Sequence, residues 1–218
     1  NYLDRSVISL LKSTLSAEFN WNDGDYANTE VAFKLMYAVG MVGAGRIIDK
    51  LGSKLGYLLA TLFWSLSAVG HAFVNSTIGF IVARGSLGVT ESGNFPAAIK
   101  AIAEWFPKKE RAVATGIFNS GANIGAIVAP LTVPFIAEAW GWKWTFIITG
   151  SFGFVWVIFW WLTYDKPTHH KKVSKEELDY IQGDEVQTVA NKEEKVSWFK
   201  LLSFKQTWAF VLGKFLTD

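Results

Sequence analysis

"GRIIDKLGSKLG", residues 45–56, decides how the whole chain is read. It carries Arg46, Lys50 and Lys54 against a single acid, Asp49, and is interrupted by Gly52. On one side lies "YANTEVAFKLMYAVGMVGAGRII", which starts at Tyr26, and on the other "YLLATLFWSLSAVGHAFV", which starts at Tyr57. A bilayer core about 30 Å thick is crossed by about 20 mostly apolar residues in a helix. The stretch therefore reads as a short basic turn joining two membrane spans.

The same pattern continues downstream. "IGFIVARGSLGVTESGNFPAAIKAIAEWF" from Ile78 and "AVATGIFNSGANIGAIVAPLTVPFIAEAW" from Ala112 are long enough to span. "WKWTFIITGSFGFVWVIFWWLTY" from Trp142 is the most apolar, with Trp and Tyr at both ends as an interfacial belt. The opening run to Leu15 and the closing "TWAFVLGKFLTD" are too short to span, and both read as parts of helices. Composition agrees: 50% of the 218 residues are hydrophobic, with 11 Trp and 17 Phe. There is no Cys, which excludes disulfides and thiolate metal sites. The N-terminus lacks the basic region and small-residue cleavage site of a signal peptide.

Charge alternates between the connections. Residues 46–56 and 100–112 and the long segment 165–206 are rich in Lys and Arg, whereas "EFNWNDGDY" is acidic and "NST" is uncharged. Basic loops stay in the cytoplasm, so these three are expected there. In the long segment, Ser174 followed by Glu177 has capping-box spacing for a short helix. "EEKVSWFKLLSF" suits an amphipathic piece on the membrane surface, or the whole segment is a solvated linker. His169 and His170 adjoin no carboxylate cluster and give no metal-site spacing.

Against this background four charges are out of place. Arg5 lies about ten residues, or roughly 15 Å, before the acidic loop, which sets Asp4 and Arg5 near the membrane midplane. Arg84 and Glu91 are seven apart on nearly one helix face, Glu91 in mid-span. A central charge costs about 2.5–3.5 kcal/mol on insertion scales unless it pairs or faces water. Two readings stand: a structural ion-pair network, or a polar cavity where Arg holds an anion and a carboxylate carries a proton. Tyr2, Tyr37, Asn119 and Asn123 are candidate lining residues suited to a polyhydroxylated ligand, or are interhelical hydrogen-bonding residues. His71 reads as a packing residue, and Lys34 as a side chain that snorkels to the interface. Gly40, Gly43 and Gly45, like Gly121 and Gly125, read as close helix contacts. Pro96 and Pro130 suggest kinks. No intramembrane nucleophile or metal-ligand set supports an enzyme.

Gly45, Asp49, Lys50, Gly52 and Lys54 resemble the short signature between the second and third helices of the major facilitator superfamily. "NYLDR", and "RGSLGVTESGNFPAAIKAIAEWFPKKERA" with its early Arg, mid-helix Glu, Pro and "WFP", narrow the resemblance to the anion:cation symporter family and its bacterial sugar-acid group. The resemblance implies an all-α integral membrane fold: residues 1–164 as a six-helix N-terminal bundle with its first helix truncated. Residues 165–206 become the cytoplasmic inter-bundle loop and 207–218 the start of a seventh helix. The absent C-terminal bundle is the implied intramolecular partner, in a bacterial inner membrane protein that is monomeric when complete and binds no nucleic acid.

The resemblance also implies roles. Arg5 takes a substrate carboxylate, Asp4 and Glu91 carry protons, and Arg84 pairs with Glu91. Tyr2 and Tyr37 bind sugar hydroxyls, with Asn119 and Asn123 beside them, Asn123 standing where some members have Gln. Asp49 is expected to gate conformation at an inner helix end near Arg111. The implied function is proton-coupled symport of a hexuronate, with aldonates, aromatic carboxylates or phosphate esters as alternatives. A transport-dead receptor of the same fold is a different class. No cofactor is expected beyond the co-transported proton, with sodium as the other candidate ion.

Overall fold

The computed structural model describes residues 2–183, 203–209 and 212. The chain divides into two compact units, Asn1–Gln182 and Gly183–Asp218. In the second unit residues 205–209 are helical. Most of "EEKVSWFKLLSF" and of the stretch 207–218 lies outside the described residues.

Among the described residues, every regular element of the first unit is a helix. α1 (Tyr2–Leu10) and α2 (Lys12–Phe19) form one nearly continuous run, because Leu11 N–H still reaches Val7 O and Leu15 N–H still reaches Leu11 O. The run stops at Asn20, whose φ of 52° is tolerated by an Asn, and its N–H bonds Ser16 O. Asn22 then starts α3 (Asp23–Gly70) with a reciprocal capping box to Asp25.

α3 cannot be one straight rod. Its 48 residues would reach about 72 Å, more than twice a bilayer core. It breaks at Gly52, where φ 79° and ψ 166° are open to glycine and strained for other residues. A Cβ at Gly56 would lie 3.4 Å from Ile48 Cα, so the chain doubles back there. Phe33 and Ala68, 35 positions apart, share one core cluster, so the limbs 23–51 and 53–70 lie side by side. Two of the spans expected from the sequence are therefore present within this single run.

A 3-10 turn (His71–Phe73) leads to α4 (Thr77–Glu91), which Ser76 caps, and α5 (Asn94–Trp105). The sequence reading has one span from Ile78; the structure divides it at Ser92 and Gly93. Pro96 accounts for this: it supplies no N–H and its ring crowds the carbonyl of residue 92. α6 (Arg111–Trp140) contains Pro130 and Pro134 without ending, and Gly141, at φ 86°, separates it from α7 (Trp142–Thr163). Among the described residues three helical runs are long and apolar enough to cross a membrane: Asp23–Phe73, Arg111–Trp140 and Trp142–Thr163. α8 (Lys175–Gln182) is the short helix expected after Ser174, whose Oγ accepts from Glu177 N–H. It is docked rather than simply solvated: Ile181 is buried, Tyr180 bonds Glu110, and Lys109 stands 4.4 Å from the Tyr180 ring centroid.

α3 packs against α4, α5 and α7, and α1 against α6 and α7. At the end bearing Asn22 and Gly141, rings close the bundle: Phe19, Trp21, Phe80, Trp142 and Phe146 stack edge to face, and Trp21 Nε1 donates to Thr77 Oγ1 at 2.9 Å. His71 belongs to this core. Its Nδ1 donates to Ser67 O at 2.7 Å and its ring lies parallel to Phe146.

At the opposite, basic end, buried polar groups tie three segments together. Tyr164 donates to Glu104 Oε2 at 2.8 Å, Ser53 bonds the same carboxylate, and Trp160 Nε1 donates to Lys54 O at 3.0 Å. Asp49 pairs with Lys100 at 2.8 Å and not with Arg111. Arg111 instead donates to Ala103 O and Phe106 O, satisfying carbonyls at the end of α5.

Candidate functional site

Small residues set where the charged side chains meet. A Cβ on Gly88 would collide with Phe33 O and come within 2.9 Å of Tyr37 N, so α4 lies almost backbone to backbone on the first limb of α3. A Cβ on Gly125 would stand 3.2 Å from Tyr2 Cβ, which seats α1 on α6. Gly40 meets Ser92 in the same way. Gly43, Gly45 and Gly121, read from the sequence as packing positions, face open space.

Two ion pairs occupy the space so formed. Arg5 Nε donates to Glu91 Oε1 at 2.6 Å. Arg84 Nη2 donates to Glu30 Oε1, also at 2.6 Å. Both guanidiniums stand over one ring, Phe33, with Cζ to centroid distances of 5.2 Å for Arg5 and 4.6 Å for Arg84. Arg5 also lies over Tyr37 at 4.7 Å and Tyr2 at 5.4 Å. The aromatic group is itself ordered, since Phe33 and Tyr37 stack at 5.9 Å.

Burial gives this cluster its energetic weight. Arg84 is 1% exposed and Glu91 0%, whereas the side chains of Arg5 and Glu30 are each 27% exposed. Removing one partner of a buried pair costs about 3–5 kcal/mol, because the other charge is left without compensation. Hydrogen-bonding capacity is unused all the same. Arg84 Nε and Nη1 and Glu91 Oε2 are buried and make no hydrogen bond within the protein. Such atoms call for water or a ligand.

The structure thus brings together Tyr2, Arg5, Tyr37, Arg84 and Glu91 from the residues singled out in the sequence. Two pairings differ from expectation. Glu91 is held by Arg5 rather than by Arg84, because seven residues along α4 separate the two by about 10 Å. Arg84 is held by Glu30, which the sequence reading overlooked along with Phe33. Their signal was available: Tyr26, Glu30, Phe33 and Tyr37 are spaced 4, 3 and 4, one face of a helix, and Glu30 is a lone acid inside an apolar run.

Asp4 departs from the group. It shares its helix face with Val7, Ile8, Leu11 and Leu15, all buried, so it points into the packed interior. Trp64 and Thr149 face its carboxylate, although Oδ1 makes no hydrogen bond. α1 meets α4 through the Arg5–Glu91 pair, while its backbone packs on α6 and α7. Asn119 and Asn123 are exposed on α6 and do not join the ion-pair cluster. Gly45, Asp49, Lys50, Gly52 and Lys54 sit at the basic end, where Lys100 also reaches Ile48 O and Asp49 O, carbonyls in the last turn before the Gly52 break.

The sequence profile of the Major Facilitator Superfamily matches residues 1–217. A galacturonate transporter of Dickeya chrysanthemi is 37% identical over all 218 residues, which cover 63% of that protein. A hexuronate transporter of Escherichia coli K12 is 36% identical over the same residues, covering 50% of its length. The crystal structure of a bacterial homologue of the human lysosomal transporter Spinster, inward-facing and occupied, superposes with a TM-score of 0.71 at 24% identity. That superposition covers 81% of this chain and 44% of the other, and shows the likeness of fold.

Proposed function

We propose that this chain, which belongs to the Major Facilitator Superfamily and is part of a multi-pass membrane protein, forms one half of a transporter for sugar-acid anions, hexuronates first among them. The observation that carries the reading is the pair of Arg–Glu ion pairs over Phe33, with Arg84 Nε and Nη1 still unbonded. Guanidinium groups match carboxylates in shape and charge. Tyr2 and Tyr37 beside Arg5 offer rings and hydroxyls to a polyol. The relatives named for galacturonate and hexuronate support this choice of substrate.

Coupling follows from charge. Arg5 and Arg84 are matched by Glu91 and Glu30, so the fully ionised pair of ion pairs is neutral, and the buried Asp4 beside it adds one negative charge. An anion enters such a site more easily when a carboxylate has taken a proton. Glu91, buried and bonded to Arg5, is the proposed coupling acid, with Asp4 as the second. By linkage, protonation and anion binding then favour each other. The transported species is a sugar acid with a proton, moved inward across a bacterial inner membrane, with the 46–56, 100–112 and 165–206 segments in the cytoplasm. The test is uptake of labelled galacturonate by the full-length protein in vesicles, with unlabelled galactonate, phthalate and glycerol phosphate as competitors. Galacturonate uptake inhibited by galactonate more than by phthalate or glycerol phosphate supports the reading; no galacturonate uptake removes it.

A further inference from the structure

The Arg84–Glu30 pair has no place in the coupling scheme above, and its geometry sets it apart from Arg5–Glu91. Glu91 is fully buried; the Glu30 side chain is 27% exposed. Glu30 lies two turns into α3, about 10 Å from the helix start at Asp23. Arg84 lies as far from the start of α4 at Thr77, so the two side chains meet at one depth. Arg84 also rests on the Phe33 ring, and Glu30 bonds only one of its three nitrogens.

From this geometry we infer that Glu30 is a tethered competitor for the substrate: its carboxylate holds Arg84 Nη2 in the empty site, and a substrate carboxylate must displace it to take the whole guanidinium fork. The inference rests on the sugar-acid reading. Of the two ion-paired carboxylates Glu30 is the one that solvent reaches, while Glu91 is sealed from it. Asp4 is bonded to neither Arg. The charged and titratable groups facing Glu30 are Arg84 from α4 and Tyr26 from the preceding turn of α3. Lys12 of α2 stands 4.9 Å from the Tyr26 ring centroid. Glu30 thus lowers the affinity of the empty site for an anion, separately from Glu91.

The test is equilibrium binding of labelled galacturonate to the purified full-length protein. Wild type, Glu30→Gln and Glu30→Asp are compared, with thermal unfolding as the control for folding. Glu30→Gln should bind about tenfold more tightly, the equivalent of one charged hydrogen bond no longer competing. Glu30→Asp, one methylene short of Arg84, should fall between the two and keeps the test open if the Gln variant does not fold. Variants that bind no more tightly than a binding-competent wild type overturn the inference and leave the sugar-acid reading standing. A wild type that binds no sugar acid overturns both.

Discussion

Arg5 Nε and Glu91 Oε1 lie 2.6 Å apart, joining residues 86 positions apart in the chain. The bond links α1 to the end of α4 at the point where that span is broken. Any movement of α1 relative to α4 must therefore stretch a charged hydrogen bond, and anything that competes for either partner loosens it.

Replacing Arg5 by Lys tests the guanidinium itself. A lysine keeps the charge but loses Nε, the planar fork and the stacking on Phe33, Tyr37 and Tyr2. Galacturonate affinity of the full-length protein should fall about tenfold or more, the worth of a lost charged hydrogen bond. Equilibrium binding checks it; unchanged affinity would assign Arg5 to structure alone.

Gly88 tests how the site is held in place. In Gly88→Ala the new methyl meets Phe33 O, and the backbones of α3 and α4 must separate. A stability loss of about 1–3 kcal/mol is expected, as for an overpacked core. Thermal unfolding in detergent measures it, with Gly43→Ala, which faces open space, as the neutral comparison.

Asp49 tests the basic end. Its partner Lys100 also bonds the carbonyls of residues 48 and 49, so the pair fastens α5 to the last turn before Gly52. Asp49→Asn should slow galacturonate transport several-fold while leaving binding affinity nearly unchanged, since the pair lies away from the Arg–Glu cluster. Separate measurement of turnover and affinity decides it, and a large affinity loss at normal turnover would contradict it.

Much of this arrangement was legible in the sequence. The cost of midplane charges marked Arg5, Arg84 and Glu91, and the basic turn around Gly52 marked the reversal between two spans. Partner choice was not legible. Arg84 and Glu91 share a helix face, but pairing depends on which neighbouring helix comes within a side chain's reach, and that was set by Gly88. Asp4 misled for a related reason: adjacent residues on a helix point about 100° apart, so Asp4 entered the packed core while Arg5 entered the site. Glu30 was overlooked because it directly follows the polar Asn28 and Thr29 at the opening of its span. The Ser53–Glu104–Tyr164 contact joins three segments far apart in sequence and has no local signal.

The central claim is that Glu91 links proton binding to sugar-acid binding through Arg5. Glu91→Gln in the full-length protein mimics the protonated acid, and paired measurement of galacturonate counterflow and proton-driven accumulation tests it most directly. The account predicts that counterflow persists while accumulation against a gradient is lost. Loss of both together with binding would make Glu91 a structural residue, and retention of both would mean that the proton travels through another group.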